Sequence, residues 1–295
     1  MVPAAREDAM AEARELGREG EARRLVVESD DGAQLYVESR GSGRPLLLVH
    51  GWTMSRRYWR EQFGLAGEFQ VVTPDLRAHG RSSKVLHGHT LPRYARDLAA
   101  VVEALGLEGV VLAGWSLAGP LVLEYWRQTG GQKVAALALV EMSPYPLGPP
   151  EWNTHKLAGE DLAGMGRTLR ALESEREAFG RRFIAAMFHQ GRAPAAEAGW
   201  MLEEHLACPT PAALACYSDY LLRDLSGVLP QVSAPALVAV GSSSHICFGP
   251  VTGRHVAGLL PRGRLAVFPR SGHMPFLEEP RAFNRALAEL AAEAG

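Results

Sequence analysis

The apolar run Val110 to Ala113 ends in Gly114-Trp115-Ser116-Leu117-Ala118-Gly119 and then resumes with helix-forming residues. A buried strand, a sharp turn and a helix satisfy that order. Such a turn needs small residues two before and two after the serine, because strand and helix backbones pass closely while Ser116 is held up into a cleft. Gly114 and Ala118 meet the need. Ala118 stands where glycine is usual, a departure of one methyl group, and Gly119 follows at once. The pattern alone is weak, so its weight comes from the rest of the chain.

Upstream, Arg24 to Glu28 and Gln34 to Ser39 read as a hairpin joined through Asp30-Asp31-Gly32. Pro45 to Val49 is continuously apolar, as in a strand buried on both faces, and breaks at His50-Gly51-Trp52-Thr53. A helix is expected from about Ser55 to Leu65, a second buried strand from Phe69 to Pro74, and a helix from Leu91 to Leu105. Lys133 to Val140 is a further strand. Alternating strands and helices imply right-handed crossovers and a doubly wound, mostly parallel α/β sheet.

The pattern changes between Tyr145 and Leu229, where only helical segments appear: Leu162 to Phe179, Arg181 to His189 and Ala212 to Leu222. Prolines at 144, 146, 149 and 150 mark one edge, and Pro230 and Pro235 the other. We read 145–229 as a helical cap inserted into a core of 23–144 and 230–295. Ala236 to Val240 and Arg264 to Phe268 resume the sheet, and Pro280 to Ala294 closes it with an amphipathic helix. Residues 1–22 form a charged extension, read as a frayed, solvated helix.

With 47% hydrophobic and 22% charged residues among 295, the chain buries a large core. A net charge of −2, from 31 basic and 33 acidic residues, gives no field favouring nucleic acid or an anionic membrane. The partner expected is a small, uncharged molecule. Three cysteines without CxxC spacing (Cys208, Cys216, Cys247) argue against a disulfide framework or a zinc site. No apolar run is long enough to span a bilayer, and the N-terminus lacks a secretory pattern, so a cytoplasmic location is expected.

Four motifs then stand in order: His50-Gly51-Trp52, Asp75-Leu76-Arg77-Ala78-His79-Gly80-Arg81-Ser82, Gly114-Trp115-Ser116, and Ser271-Gly272-His273-Met274-Pro275-Phe276-Leu277-Glu278-Glu279-Pro280. Together they resemble the α/β-hydrolase superfamily over roughly residues 23–294. The phrases His-Gly-Trp and Gly-Trp-Ser-Leu are similar to those of carboxylesterases related to the biotin-synthesis methyl esterase and of cofactor-free haloperoxidases. The resemblance implies a serine nucleophile beneath a helical lid, with no metal or organic cofactor. Haloalkane dehalogenases and epoxide hydrolases use an aspartate where Ser116 stands.

A serine hydroxyl needs a base within reach, and His273 is the candidate. The transition-state oxyanion needs two N–H donors, assigned to Leu117 and Trp52, with Thr53 in reserve should the turn be shifted by one. His50 and the 75–82 segment read as structural braces. Relatives usually carry the triad acid after the next sheet strand, where this chain has Gly241-Ser242-Ser243-Ser244-His245 and no carboxylate. Glu141, at the end of the preceding strand, is therefore assigned as the acid, with a Ser116–His273 dyad oriented by Ser244 as the alternative. Asp219 and Asp224 read as capping residues. Trp115, Trp152, Met187, Phe188 and Trp200 are candidates to line an apolar acyl or aryl pocket, against the alternative of core packing. The expected activity is ester hydrolysis. Thioester or lactone hydrolysis, perhydrolysis and transacylation remain open on the same site, as do carbon–carbon bond hydrolysis and a binding role without turnover.

Overall fold

The computed structural model describes residues 12–19, 22–246 and 249–295. Its strands are β1 (Ala13–Glu19), β2 (Ala22–Glu28), β3 (Gln34–Arg40), β4 (Arg44–Val49), β5 (Phe69–Pro74), β6 (Val110–Trp115), β7 (Val134–Val140), β8 (Ala236–Gly241) and β9 (Gly263–Phe268). They form one sheet in the order β1-β2-β3-β5-β4-β6-β7-β8-β9. β1, β2, β3 and β5 pair antiparallel in that order, and every pair from β5 through β9 is parallel. β6 and β8 are buried along their whole length, which is why their sequences are runs rather than alternations.

The helices are α1 (Leu91–Ala104), α2 (Ala118–Thr129), α3 (Leu162–Ser174), α4 (Arg176–Met187), α5 (Ala195–Ala207), α6 (Thr210–Leu222), α7 (Gly249–Leu259), α8 (Pro275–Glu278) and α9 (Pro280–Glu293). One core layer joins the sheet to α1 and α2 through Tyr94, Leu98, Leu121, Val122 and Trp126. The other holds Trp59, Phe276, Phe283, Leu287 and Leu290. Strand ends are thus clamped from both faces, and only the loops at the carboxyl edge are free to carry chemistry. Between β7 and β8 the chain leaves the sheet and forms α3 to α6.

Three sequence expectations are corrected. Ala13–Glu19 is a strand, not a helix: its backbone pairs with β2, Glu15 meets Arg23 at 3.2 Å across the pair, and a register shift falls between Glu15 and Gly17. Edge pairing satisfies backbone groups without burying apolar side chains. That is how a charge-rich segment joins the sheet. The rest of the supposed helix, residues 1–11, 20 and 21, lies outside the described residues, as does Cys247. Arg56–Leu65 is a 3-10 helix interrupted at Trp59. The helix foreseen over 162–179 breaks at Glu175, which leaves helical geometry (φ −128°, ψ 40°). α5 and α7 carry no signal that the sequence reading used.

Candidate active site

Ser116 is held at φ +58°, in the left-handed region. Its N–H donates to Val140 O at 2.9 Å and its carbonyl accepts from Gly119 N–H at 2.8 Å, so the strained turn is fixed from both sides. The glycine requirement falls on Gly114, where a Cβ would lie 2.1 Å from Ala118 O. Ala118 is tolerated because it presents its carbonyl, rather than its side chain, to that contact. At Gly51 a Cβ would approach the Ser116 Cβ to 3.2 Å, which seats the 50–54 loop beside the serine.

Glu141 ends β7 at φ +47°, fully buried. One carboxylate oxygen lies 3.0 Å from His273 Nδ1, and the other accepts Gly241 N–H at 2.6 Å. The Ser244 hydroxyl also donates to this carboxylate. Ser244 thus supports the acid on the neighbouring strand end.

His273 is carried by the loop between β9 and α8. Its N–H donates to Met187 O at 2.7 Å, and its carbonyl accepts Trp115 Nε1–H at 2.8 Å. The glutamates of the Pro-Phe-Leu-Glu-Glu-Pro motif hold the same loop: Glu278 accepts Gly272 N–H at 2.7 Å and Glu279 accepts Ser271 Oγ–H at 2.8 Å. Gly241 must lack a side chain, since a Cβ there would stand 2.0 Å from Gly272 O.

Burial lowers the His273 pKa to about 3, with nearby His155 pushing the same way, so the imidazole is neutral and able to accept a proton. Burial raises the Glu141 pKa, opposed by donation from Gly241 and Ser244. His50, also buried, is lowered to about 4. Its Nδ1–H donates to Gly51 O at 2.8 Å and its Nε2 accepts Leu76 N–H at 3.0 Å, so it ties the 50–54 loop to the 75–82 turn. Asp75 completes that tie by accepting the N–H groups of Arg56 at 2.7 Å and Arg81 at 2.9 Å.

Leu117 stands at the head of α2, where backbone N–H groups have no partner within the helix. Trp52 and Thr53 occupy the middle of a β-turn closed by Met54 N–H to Gly51 O at 3.2 Å. Asp219 accepts Leu91 N–H at 2.7 Å and Asp224 accepts Ser226 N–H at 2.8 Å, both as caps.

The aromatic residues divide. Trp115 lies beneath the His273 loop, packed on Tyr58 and Phe276. Met187 is buried below the same loop. Trp152 stacks on His255 at 4.3 Å, and Trp200 lies under Arg57 and Arg60 while its Nε1–H donates to Glu197. Trp200 also packs on Tyr58 at 4.8 Å, which in turn packs on Trp115. Phe188 lines a cavity of about 570 Å³ that also includes Met201, Leu277, Arg192 and Arg270 but neither Ser116 nor His273. Sequence reasoning missed the rings that surround Trp52, namely Phe179, Phe183, His205 and Tyr217. Phe179 and Phe183 share one face of α4, but no local spacing joins that pair to His205 or Tyr217, which α5 and α6 supply.

Residues 44–280 match the family described as the alpha/beta hydrolase fold. A non-heme haloperoxidase of Rhodococcus erythropolis is 30% identical over 254 residues, covering 84% of this chain and 92% of the relative. The pimeloyl-[acyl-carrier protein] methyl ester esterase of Chromobacterium violaceum is 30% identical over 260 residues, covering 86% and 97%. An esterase from Exiguobacterium antarcticum superposes with a TM-score of 0.83 at 22% identity, over 90% of this chain and 98% of that one, a likeness of fold. With the strand order, the elbow and the histidine loop in the positions described, this chain belongs to the α/β-hydrolase family.

Proposed function

We propose that the protein is a serine hydrolase that cleaves the carboxylic ester of a small, largely apolar substrate through an acyl-enzyme. The observation carrying this reading is the 3.0 Å contact between Glu141 and His273 Nδ1, in a loop that Trp115 ties to the strained Ser116 turn. His273 Nε2 takes the Ser116 proton as Oγ attacks the acyl carbon. The N–H groups of Trp52 and Leu117 hold the oxyanion, and Glu141 favours the imidazolium that forms. Collapse of the intermediate expels the alcohol, which receives the proton from His273. Water then adds to the acyl-enzyme by the same route, releasing the acid and restoring Ser116. In this reading α3 to α6 form the cap over the site.

The similarity to a haloperoxidase favours one variation, in which hydrogen peroxide replaces water at the second step and a peracid leaves. Product analysis with competing acceptors separates the two. The primary test is hydrolysis of a short-chain p-nitrophenyl ester by the parent, Ser116→Ala and Glu141→Gln. We expect loss of roughly 10⁴-fold or more in kcat for Ser116→Ala. Turnover that survives Ser116→Ala would discard the serine mechanism.

A further inference from the structure

The side chains of the turn expected to carry half of the oxyanion hole are held by the inserted helices. Thr53 stands at the third position of that turn with φ +58°. Third-position positive φ is the mark of a type II turn, where glycine is the usual occupant. A β-branched residue there is a backbone outlier that persists only where its surroundings fix it. Thr53 Oγ1 lies 2.7 Å from Trp52 O and 2.8 Å from His205 Nδ1, both contacts buried. The carbonyl only accepts and the hydroxyl has one hydrogen. The proton order is therefore fixed: His205 Nδ1–H donates to Thr53 Oγ1, and Thr53 Oγ1–H donates to Trp52 O.

Trp52 O belongs to the central peptide of the turn, whose orientation distinguishes a type II turn from a type I turn. From α5, His205 thus holds that peptide in the flipped orientation. A second tie comes from α6, where Ala213 O accepts Trp52 Nε1–H at 2.9 Å. Burial lowers the His205 pKa to about 3, so the ring carries one N–H near neutrality. Thr53 holds the ring at Nδ1, and an interaction of the ring with the Arg176 backbone partly opposes the effect of burial.

We propose that His205 is a positioning residue for the oxyanion hole, acting through Thr53 and Trp52 O to fix the 51–54 turn and with it the Trp52 N–H on the adjoining peptide, so that docking of α5 and α6 completes the hole. This rests on the serine-hydrolase reading above. Because the hole acts on the transition state, its loss lowers kcat with little change in KM.

The test uses the full chain with His205→Phe, His205→Asn and Thr53→Val. Phenylalanine keeps the ring that stacks on Phe179 and removes the donor; asparagine keeps a donor near the Nδ1 position and removes the ring. We expect His205→Phe and Thr53→Val each to lower kcat roughly tenfold to hundredfold with KM changed less than about threefold. Combined, they should cost no more than either alone. His205→Asn should retain most of the parent kcat, and amide exchange at residues 52–54 should quicken in His205→Phe but not in His205→Asn. Parent-like kcat and exchange in His205→Phe would overturn the proposal, as would a greater loss in His205→Asn than in His205→Phe, the signature of ring packing alone. Turnover that persists in Ser116→Ala would instead remove the serine mechanism, while the exchange data would still show whether the tie holds the loop.

Discussion

The two halves of the candidate site are built differently. The candidate acid and base stand at the sheet edge: Glu141 follows β7, receives the Gly241 N–H from the end of β8 and touches a histidine loop that Trp115 anchors to β6. Every one of those ties runs between neighbouring strand ends or the loops that leave them. The oxyanion turn leans on the sheet only through His50 and the 75–82 segment, and its side chains are held by Ala213 and His205 of the inserted helices. The first half touches the inserted helices through a backbone bond, His273 N–H to Met187 O at the end of α4, and the second through the side chains of its turn, which α5 and α6 hold. Acid–base geometry should therefore be less sensitive to changes in α5 and α6 than the oxyanion turn is.

Glu141→Gln strikes the core half hardest. An amide at 3.0 Å from Nδ1 presents the wrong hydrogen-bonding group to the catalytic tautomer, so kcat should fall roughly 10³- to 10⁴-fold. Stability should move oppositely. The folded pKa of Glu141 is raised by burial, so the unfolded chain binds fewer protons than the folded one once pH exceeds the ordinary carboxyl value, and ionisation there costs stability. A neutral glutamine removes that cost, and its thermal midpoint at neutral pH should exceed the parent's while the two converge in acid. A lower midpoint would mean that the Gly241 and Ser244 hydrogen bonds more than offset the burial of charge.

Trp52→Phe tests the other half. It removes the Nε1–H donation to Ala213 O while keeping a ring beside Tyr217, so only the tie to α6 is lost. We expect a fall in kcat of about tenfold with KM little changed, since a slightly mis-set donor is felt in the transition state. The contrast with the core half would fail if this variant shifted the acid limb of the pH–rate profile, because the proposed mechanism assigns that limb to Glu141 and His273. Ser244→Ala acts on that limb and should cost about threefold, moving it to higher pH as the carboxylate loses a donor.

How far each half can be read from sequence follows the same division. Ser116, His273 and Glu141 can be nominated from sequence because each ends or follows a strand, and strand ends are marked by local runs such as Leu139-Val140-Glu141. Helical segments between β7 and β8 are legible in part, α3, α4 and α6 through local amphipathic spacing, while α5 is not. The partners of Trp52 were not: His205 and Tyr217 face it only after α5 and α6 dock, and no spacing within either helix records the docking. Trp152 and Trp200 show that aromatic character does not fix position: one ring stacks on His255, the other lies between two arginines and Tyr58. β1 escaped the reading because backbone pairing leaves no trace in side-chain pattern.

The smallest effect on catalysis is expected where the core supports the turn from below. Arg77, buried next to Leu76, donates to Asp31 at 2.9 and 3.0 Å and to Asp97 at 2.7 and 2.8 Å. The guanidinium pulls the Asp31 pKa from 3.8 to about 2. A carboxylate with a lowered folded pKa contributes stability that is complete above its unfolded value and is lost as pH falls through the folded one. Asp31→Asn should therefore destabilise the protein at neutral pH by roughly 1 kcal/mol, allowing for its partial exposure to solvent. The difference from the parent should shrink as pH drops from about 4 toward 2. Because Asp97 still holds Arg77 and His50 still bridges to Leu76, kcat should stay within about twofold of the parent. Denaturant titrations at neutral and acid pH, run beside kcat, separate the outcomes. A kcat that fell with stability would show that the 75–82 turn sets the oxyanion loop as strongly as the inserted helices do, and the two halves of the site would then share one foundation.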